Sequence, residues 1–153
     1  MGTELTAQSL TVTITEALAV DHANGSTNDL DFAQTYTHTY ASIANVTKRI
    51  IKLANTNLTE IATFGSDTQN GAFVRADIKY IRVTNLDASD ALQVGMDDED
   101  SDAAYTSVAA DSSIIFTGTT VEGDQGGSTL DNATALKVKG AANQQLELFI
   151  ASV

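Results

Sequence analysis

A chain of 153 residues without cysteine has room for one ordinary domain with a continuous core, and it excludes disulfides, thiolate nucleophiles and cysteine-ligated zinc or iron–sulfur sites. A formal net charge of -12 argues against nucleic acid as a partner, because binding phosphate backbones needs cations that release condensed counterions. Proline and tryptophan are absent while Thr, Ser, Ala and Val abound, which favours pleated strands with short hydroxyl side chains facing outward.

The start, MGTELTAQSL, lacks the basic flank and apolar core of a secretion signal, and no apolar run approaches the roughly 20 residues needed to span a bilayer. A soluble, unsecreted protein with no membrane partner is expected. Gly2 with Thr6 fits the loose N-myristoylation pattern, but no polybasic second anchor follows it.

Residues 1–9 contain little to bury and are expected to form a flexible N-terminal arm, leaving 10–153 as a single domain. From Leu10 to Val20, Leu10, Val12 and Ile14 alternate with Thr11, Thr13 and Thr15, the period-two signature of a half-buried strand. Asp21 to Asp31, with Asn24-Gly25-Ser26, reads as a loop. Phe32 to Tyr40 alternates again, with Phe32, Tyr36, His38 and Tyr40 opposite Thr35, Thr37 and Thr39. Ala41 to Val46 is assigned one helical turn. Val46–Ala54 and Leu58–Phe64, separated by Asn55-Thr56-Asn57, read as an antiparallel hairpin.

Phe73 to Asn85 carries apolar residues on both faces and reads as one central strand. Leu92, Val94 and Met96 alternate before the acidic run Asp97 to Asp102, and Ile114 with Phe116 mark another short strand. Gly118 to Asp131 is a Gly-rich loop. Ala135–Lys139 and Leu146–Ala151 close the chain, joined by a turn at Gly140 to Asn143, with Leu146, Leu148 and Ile150 as core residues. About nine short strands without a long amphipathic helix predict an all-β, antiparallel β-sandwich of jelly-roll-like character.

Candidate chemistry is sparse. The run DDEDSD offers calcium candidates Asp97, Asp98, Glu99, Asp100 and Asp102. Counted as an EF-hand from Asp98, however, the required Gly falls on Ala103 and the required Glu on Ala109, so a solvated loop is the simpler reading. His22 and His38 are the only histidines and neither sits beside a nucleophile-elbow pattern. The Gly118 to Gly127 loop lacks the Walker lysine. No catalytic residue and no cofactor is nominated, and the chain is not expected to be an enzyme.

The basic residues fall into Lys48, Arg49 and Lys52, then Arg75, Lys79 and Arg82, then Lys137 and Lys139. If those strand regions pair side by side, a basic stripe lies on an otherwise acidic body and can dock an acidic protein surface, with Lys48, Arg49, Lys52, Arg75, Lys79 and Arg82 as the docking candidates. The alternative is scattered cross-strand ion pairing. Asn45-Val46-Thr47, Asn57-Leu58-Thr59 and Asn132-Ala133-Thr134 match the glycosylation acceptor, as a Thr-rich chain does by chance.

Four phrases taken together, TVTITEAL (Thr11–Leu18), VTKRIIKL (Val46–Leu53), FVRADIKYIRVTNLDASDALQVG (Phe73–Gly95) and LELFIAS (Leu146–Ser152), resemble a group of small virion structural proteins of marine tailed phages, including phages of cyanobacteria. In that group a strand of the form KYIRVTNLD precedes a short polar turn and another strand. The resemblance implies a β-rich virion component made in the host cytoplasm, a capsid decoration protein that binds the major capsid protein. A neck, tail or fibre component is the alternative on the same virion, and a calcium- or carbohydrate-binding adhesion module is the alternative outside it. A homo-oligomer, by analogy a trimer, is the expected state.

Overall fold

The structure, a computed structural model, describes residues 8–18, 32–66, 72–98, 103–117 and 133–153. Among the described residues eleven strands follow in order: β1 (Gln8–Leu18), β2 (Phe32–Ile43), β3 (Asn45–Lys52), β4 (Thr59–Gly65), β5 (Phe73–Val74), β6 (Ile78–Asn85), β7 (Leu92–Asp98), β8 (Ala103–Val108), β9 (Ser113–Thr117), β10 (Ala133–Lys139) and β11 (Gln145–Ser152). One 3-10 turn, Arg75–Asp77, separates β5 from β6. The fold is all-β, as the alternation predicts. The chain divides into two compact units, Met1–Ile43 and Ala44–Val153.

The first unit is a long two-stranded ribbon. Among the described residues β1 and β2 pair only with each other, in register Leu10↔Tyr40, Val12↔His38 and Ile14↔Tyr36 on one face and Thr11↔Thr39, Thr13↔Thr37 and Thr15↔Thr35 on the other. Each Thr pair brings its hydroxyls within 3.2 to 3.4 Å, so one face is a ladder of hydrogen-bonded threonines. These two strands, expected within the domain over 10–153, form a sheet of their own among the described residues. Threonine at every second position gives them one face that water can cover. The ribbon already begins at Gln8, and the rest of the expected arm, 1–7, lies outside the described residues.

The helical turn expected at Ala41 to Val46 is also absent: β2 runs to Ile43 and β3 starts at Asn45. The register shift between Gln8 and Leu10 lies opposite Ser42, whose φ of 62° marks a bulge in β2.

The second unit is a sandwich of two sheets, ordered β5-β4-β10-β7-β8 and β3-β11-β6-β9. The pairings are nested. β7 pairs with β8, outside them β6 with β9, then β4 with β10, then β3 with β11, all antiparallel and in alternate sheets. The contacts β10·β7 and β11·β6 complete each sheet, and two residues of β5 lie parallel to β4.

This connectivity corrects the hairpin expected across Asn55-Thr56-Asn57. β3 and β4 belong to different sheets, and the turn, held by Asn55 Oδ1 accepting from the Asn57 amide at 2.8 Å, carries the chain over the core's edge. A tight-turn signal specifies a reversal, not whether the two strands share a sheet. Phe73 to Asn85 is likewise broken by the 3-10 turn, and β8 was not foreseen, because AAYTSV has almost no apolar alternation.

Inward side chains from both sheets meet in one core, with Leu92, Leu136, Val138, Ile81, Val83, Leu146 and Leu148 fully buried and Ile150 nearly so. Each such side chain contributes ~1.5–3 kcal/mol relative to exposure, which lets the cysteine-free unit hold by packing alone.

Candidate functional site

Register sets the outer face of the four-stranded sheet. Phe149 of β11 lies between Lys48 of β3 and Arg82 of β6, and Arg82 is opposite Ile115 of β9. The next row holds Ile50, Glu147, Thr84 and Ser113, with the Thr84 and Ser113 hydroxyls 2.8 Å apart. Glu147 is thus diagonal to two cations, and it bonds both: Oε2 is 3.1 Å from Lys48 Nζ and Oε1 is 2.5 Å from Arg82 Nη2. The Lys48 bond foremost, then that from Arg82, holds the Glu147 carboxyl below its ordinary value against the opposing effect of burial. Arg82 also stacks over Phe149, 5.7 Å from the ring centroid, and its buried Nε has no hydrogen-bond partner among the described residues.

The six docking candidates separate accordingly. Lys48 and Arg82 share Glu147. Arg49 shares its side-chain direction with Leu148 and, exposed at the sheet edge, donates Nη2 to the Ile61 carbonyl of β4 in the opposite sheet. Lys52 is exposed at the end of β3. Arg75 lies in the 3-10 turn and Lys79 near the start of β6, where β11 slips register. No continuous basic stripe results. Instead, the exposed apolar residues Val46 and Ile50 alternate with Lys48 along the edge strand β3.

On the outer face of the other sheet, Lys137 of β10, Gly95 of β7 and Tyr105 of β8 form one row. Gly95 has no side chain to fill the space between them, and both neighbours converge on Asp97: Lys137 Nζ contacts Oδ2, and the Tyr105 hydroxyl donates to Oδ1 at 3.1 Å. The bond to Asp97 raises the Lys137 ammonium, while burial first and then the same carboxylate raise the Tyr105 phenol.

Both oxygens of the first calcium candidate are therefore already engaged. Asp98 ends β7, and Glu99, Asp100 and Asp102 lie outside the described residues. Among the described residues no three His, Asp or Glu side chains are grouped to hold a metal. His38 stands on the ribbon with its ring 4.5 Å from that of Tyr40, and His22 lies outside the described residues.

The most elaborate polar constellation is one that sequence reading did not single out. At one end of the sandwich, Asn85 and Gln144 are buried. Asn85 Nδ2 faces the carbonyls of Asp90 at 2.7 Å, Ala109 at 3.0 Å and Val108 at 3.3 Å, while Oδ1 accepts from the Asp87 amide at 3.1 Å. Gln144 Nε2 donates to Asn85 Oδ1 and to the Asp90 carbonyl, both at 3.0 Å, and Oε1 accepts from the Ala141 amide at 2.7 Å. Asp87 in turn accepts from the amides of Asp90 and Ser89 and from the Ser89 hydroxyl, which together lower its carboxyl. The phrase VTNLDASD is thus a scaffold that ties three turns together. Its buried contacts are those of Asn85, while the bonds from Ser89 and Asp90 to Asp87 lie at the surface.

A cleft of about 270 Å³ opens beside β3 and β11, lined by Asn45, Thr47, Phe73, Asp77, Ile150 and Ser152 among others. It gathers no convergent set of charged groups. Comparison with known proteins returned no matching family model, no matching curated protein and no matching solved structure.

Proposed function

We propose that this chain is a non-enzymatic structural protein of a tailed-phage virion, a decoration protein that binds the outer surface of the head. The observation that carries the reading is the strand order. Nested antiparallel pairs, β7·β8 within β6·β9 within β4·β10 within β3·β11, rolled into two sheets, match the connectivity of a jelly roll, an architecture that recurs in viral capsid and lectin domains. Fold-level analogy does not carry function alone, so the reading also leans on the sequence phrases quoted above.

The disposition of charge supports the same reading. Glu147, Asp97 and Asp87, the acidic groups with the most partners, bind their own neighbours. What remains outward is an acidic, soluble body suited to display in many copies. The calcium-dependent adhesion alternative is weakened by Lys137 and Tyr105 occupying Asp97.

The test is the copy number of this protein relative to the major capsid protein in gradient-purified virions, measured by quantitative mass spectrometry. A ratio near unity, or a simple large fraction of it, is the expected result. A few dozen copies or fewer would place the chain in the neck, tail or fibres, and absence from the particle would overturn the virion reading.

A further inference from the structure

The cleft beside β3 and β11 is lined entirely by residues of the second unit. β3 is an edge strand of one sheet and β5 of the other, and both contribute to its wall. Alternation points Thr47 the same way as its partner Ile150, a core residue, and Asn45 the same way as its partner Ser152. An amide and two hydroxyls thus stand where a sandwich core takes aliphatic side chains. Phe73 of β5 and Asp77 of the 3-10 turn complete the wall.

Main-chain bonds fix this frame. The Ala44 amide donates to the Ser152 carbonyl and the Val153 amide to the Asp77 carbonyl, both at 2.9 Å. The polar side chains take no part in those bonds, and among the described residues those of Asn45, Thr47, Asp77 and Ser152 have no hydrogen-bond partner. Ser152 is only 9% exposed, and a hydroxyl held there costs free energy unless something in the cleft meets it. Asn85 and Gln144, at the other buried polar site, are by contrast bonded to each other and to turn carbonyls.

We propose that this cleft binds a single ring of a neutral sugar. Ring hydroxyls both donate and accept: the Asp77 carboxylate accepts from them, the Asn45 amide does both, and the Thr47 and Ser152 hydroxyls do either. Phe73 and Ile150 offer apolar surface to the C–H face of the ring. Other ligand classes fit less well. A metal ion finds Asp77 as the one acidic side chain in the wall, and an anion finds no lysine or arginine there. An apolar ligand leaves four polar side chains unpaired. At about 270 Å³ the cleft is smaller than the ~300–1,000 Å³ of sites for drug-sized ligands, which suits one ring.

The test uses the full-length chain, labelled with nitrogen-15, and its outcome does not depend on where the chain resides in a virion, so this proposal and the virion reading fail separately. Neutral hexoses, 6-deoxyhexoses and N-acetylhexosamines are titrated as free monosaccharides, with putrescine and calcium chloride as rival probes. The expected result is saturable amide shifts from at least one sugar, centred on Asn45, Thr47, Asp77 and Ser152, with a Kd on the order of 1 mM.

Thr47→Val and Asp77→Ala should each weaken that sugar about tenfold or more. Asn45→Ala, at an exposed position, decides the matter should either of those lose its amide dispersion. Lys139→Met, exposed in the other sheet, should bind as the wild type does. No sugar shifting the cleft amides, shifts centred elsewhere, or cleft variants that bind like the wild type overturn the proposal. Putrescine or calcium saturating the same amides at lower concentration than any sugar also overturns it.

Discussion

Gln144 donates its side-chain amide to the Asn85 carbonyl oxygen at 3.0 Å, joining the turn before β11 to the end of β6 inside the closed end of the sandwich. Neither residue is exposed, so each must find all its partners in the protein. Together they satisfy turns that cross between the two sheets, a duty that aliphatic side chains at these positions have no means of performing.

Truncating this pair should therefore cost more than an ordinary hydrogen bond. Asn85→Ala leaves the Asp90 carbonyl, the Asp87 amide and the Gln144 amide short of a partner, and a loss of about 2–4 kcal/mol is expected in urea unfolding. Gln144→Ala should behave similarly. The double variant should lose clearly less than the two single losses added together, because both remove one shared network. Additive losses in the cycle would show that the two amides act separately.

Gly140 adjoins the same network. A β-carbon there would fall on the Gln144 side-chain carboxamide and lie 3.0 Å from Leu53 Cδ1. Gly140→Ala is expected to destabilise by about 1–3 kcal/mol through overpacking, despite lowering the entropy of the unfolded chain. Thermal unfolding checks this, with Ala142→Gly in the exposed part of the same turn as the comparison. A neutral or stabilising Gly140→Ala would mean that Gln144 has another place to go.

Arg49 distinguishes a clamp from a docking residue. Its bond to the Ile61 carbonyl links the two sheets at their open edge, so Arg49→Met should lower stability by about 1 kcal/mol in the isolated protein. Lys52→Met, at an exposed neighbouring position, should change it by less than about 0.5 kcal/mol. Equal melting temperatures for the two variants would return Arg49 to the outward-facing cations.

The pH dependence should have two limbs of different origin. Glu147 is lowered from its ordinary 4.5, so its contribution is present above that value and is lost as pH falls through the lower folded value. Lys137 and Tyr105 are raised from 10.5 and 10.0, so theirs are present below those values and are lost as pH rises through the higher folded ones. Melting temperatures across the range should fall on both sides. Glu147→Gln should flatten the acid limb and leave the alkaline one, and an unchanged acid limb would assign it to other carboxylates.

How far the chain could be read in advance depended on how local each signal was. Period-two alternation placed β1, β2, β7, β10 and β11 to within a few residues, because it records which side chains of one strand share a face. β8 escaped for the same reason: it is defined by its pairing with β7, and of its described side chains only Val108 is buried. Nothing in the phrase NLDASD separated the buried Asn85 from the exposed Ser89. Asp97 stood at the head of an acidic run, and only the register of β7 with β10 and β8 made it the partner of Lys137 and Tyr105.

The sequence by itself determined an acidic, cysteine-free, all-β protein whose stability must come from packing, since composition and side-chain alternation are properties of the chain before it folds. Only the tertiary structure decided which strands meet. It paired β1 with β2 as a ribbon, sent β3 and β4 to opposite sheets, joined Arg49 to the Ile61 carbonyl and buried Asn85 against Gln144. The reason is physical: a strand's faces follow from its own residues, whereas its edge partners, and the burial of any polar group, depend on segments distant in the chain.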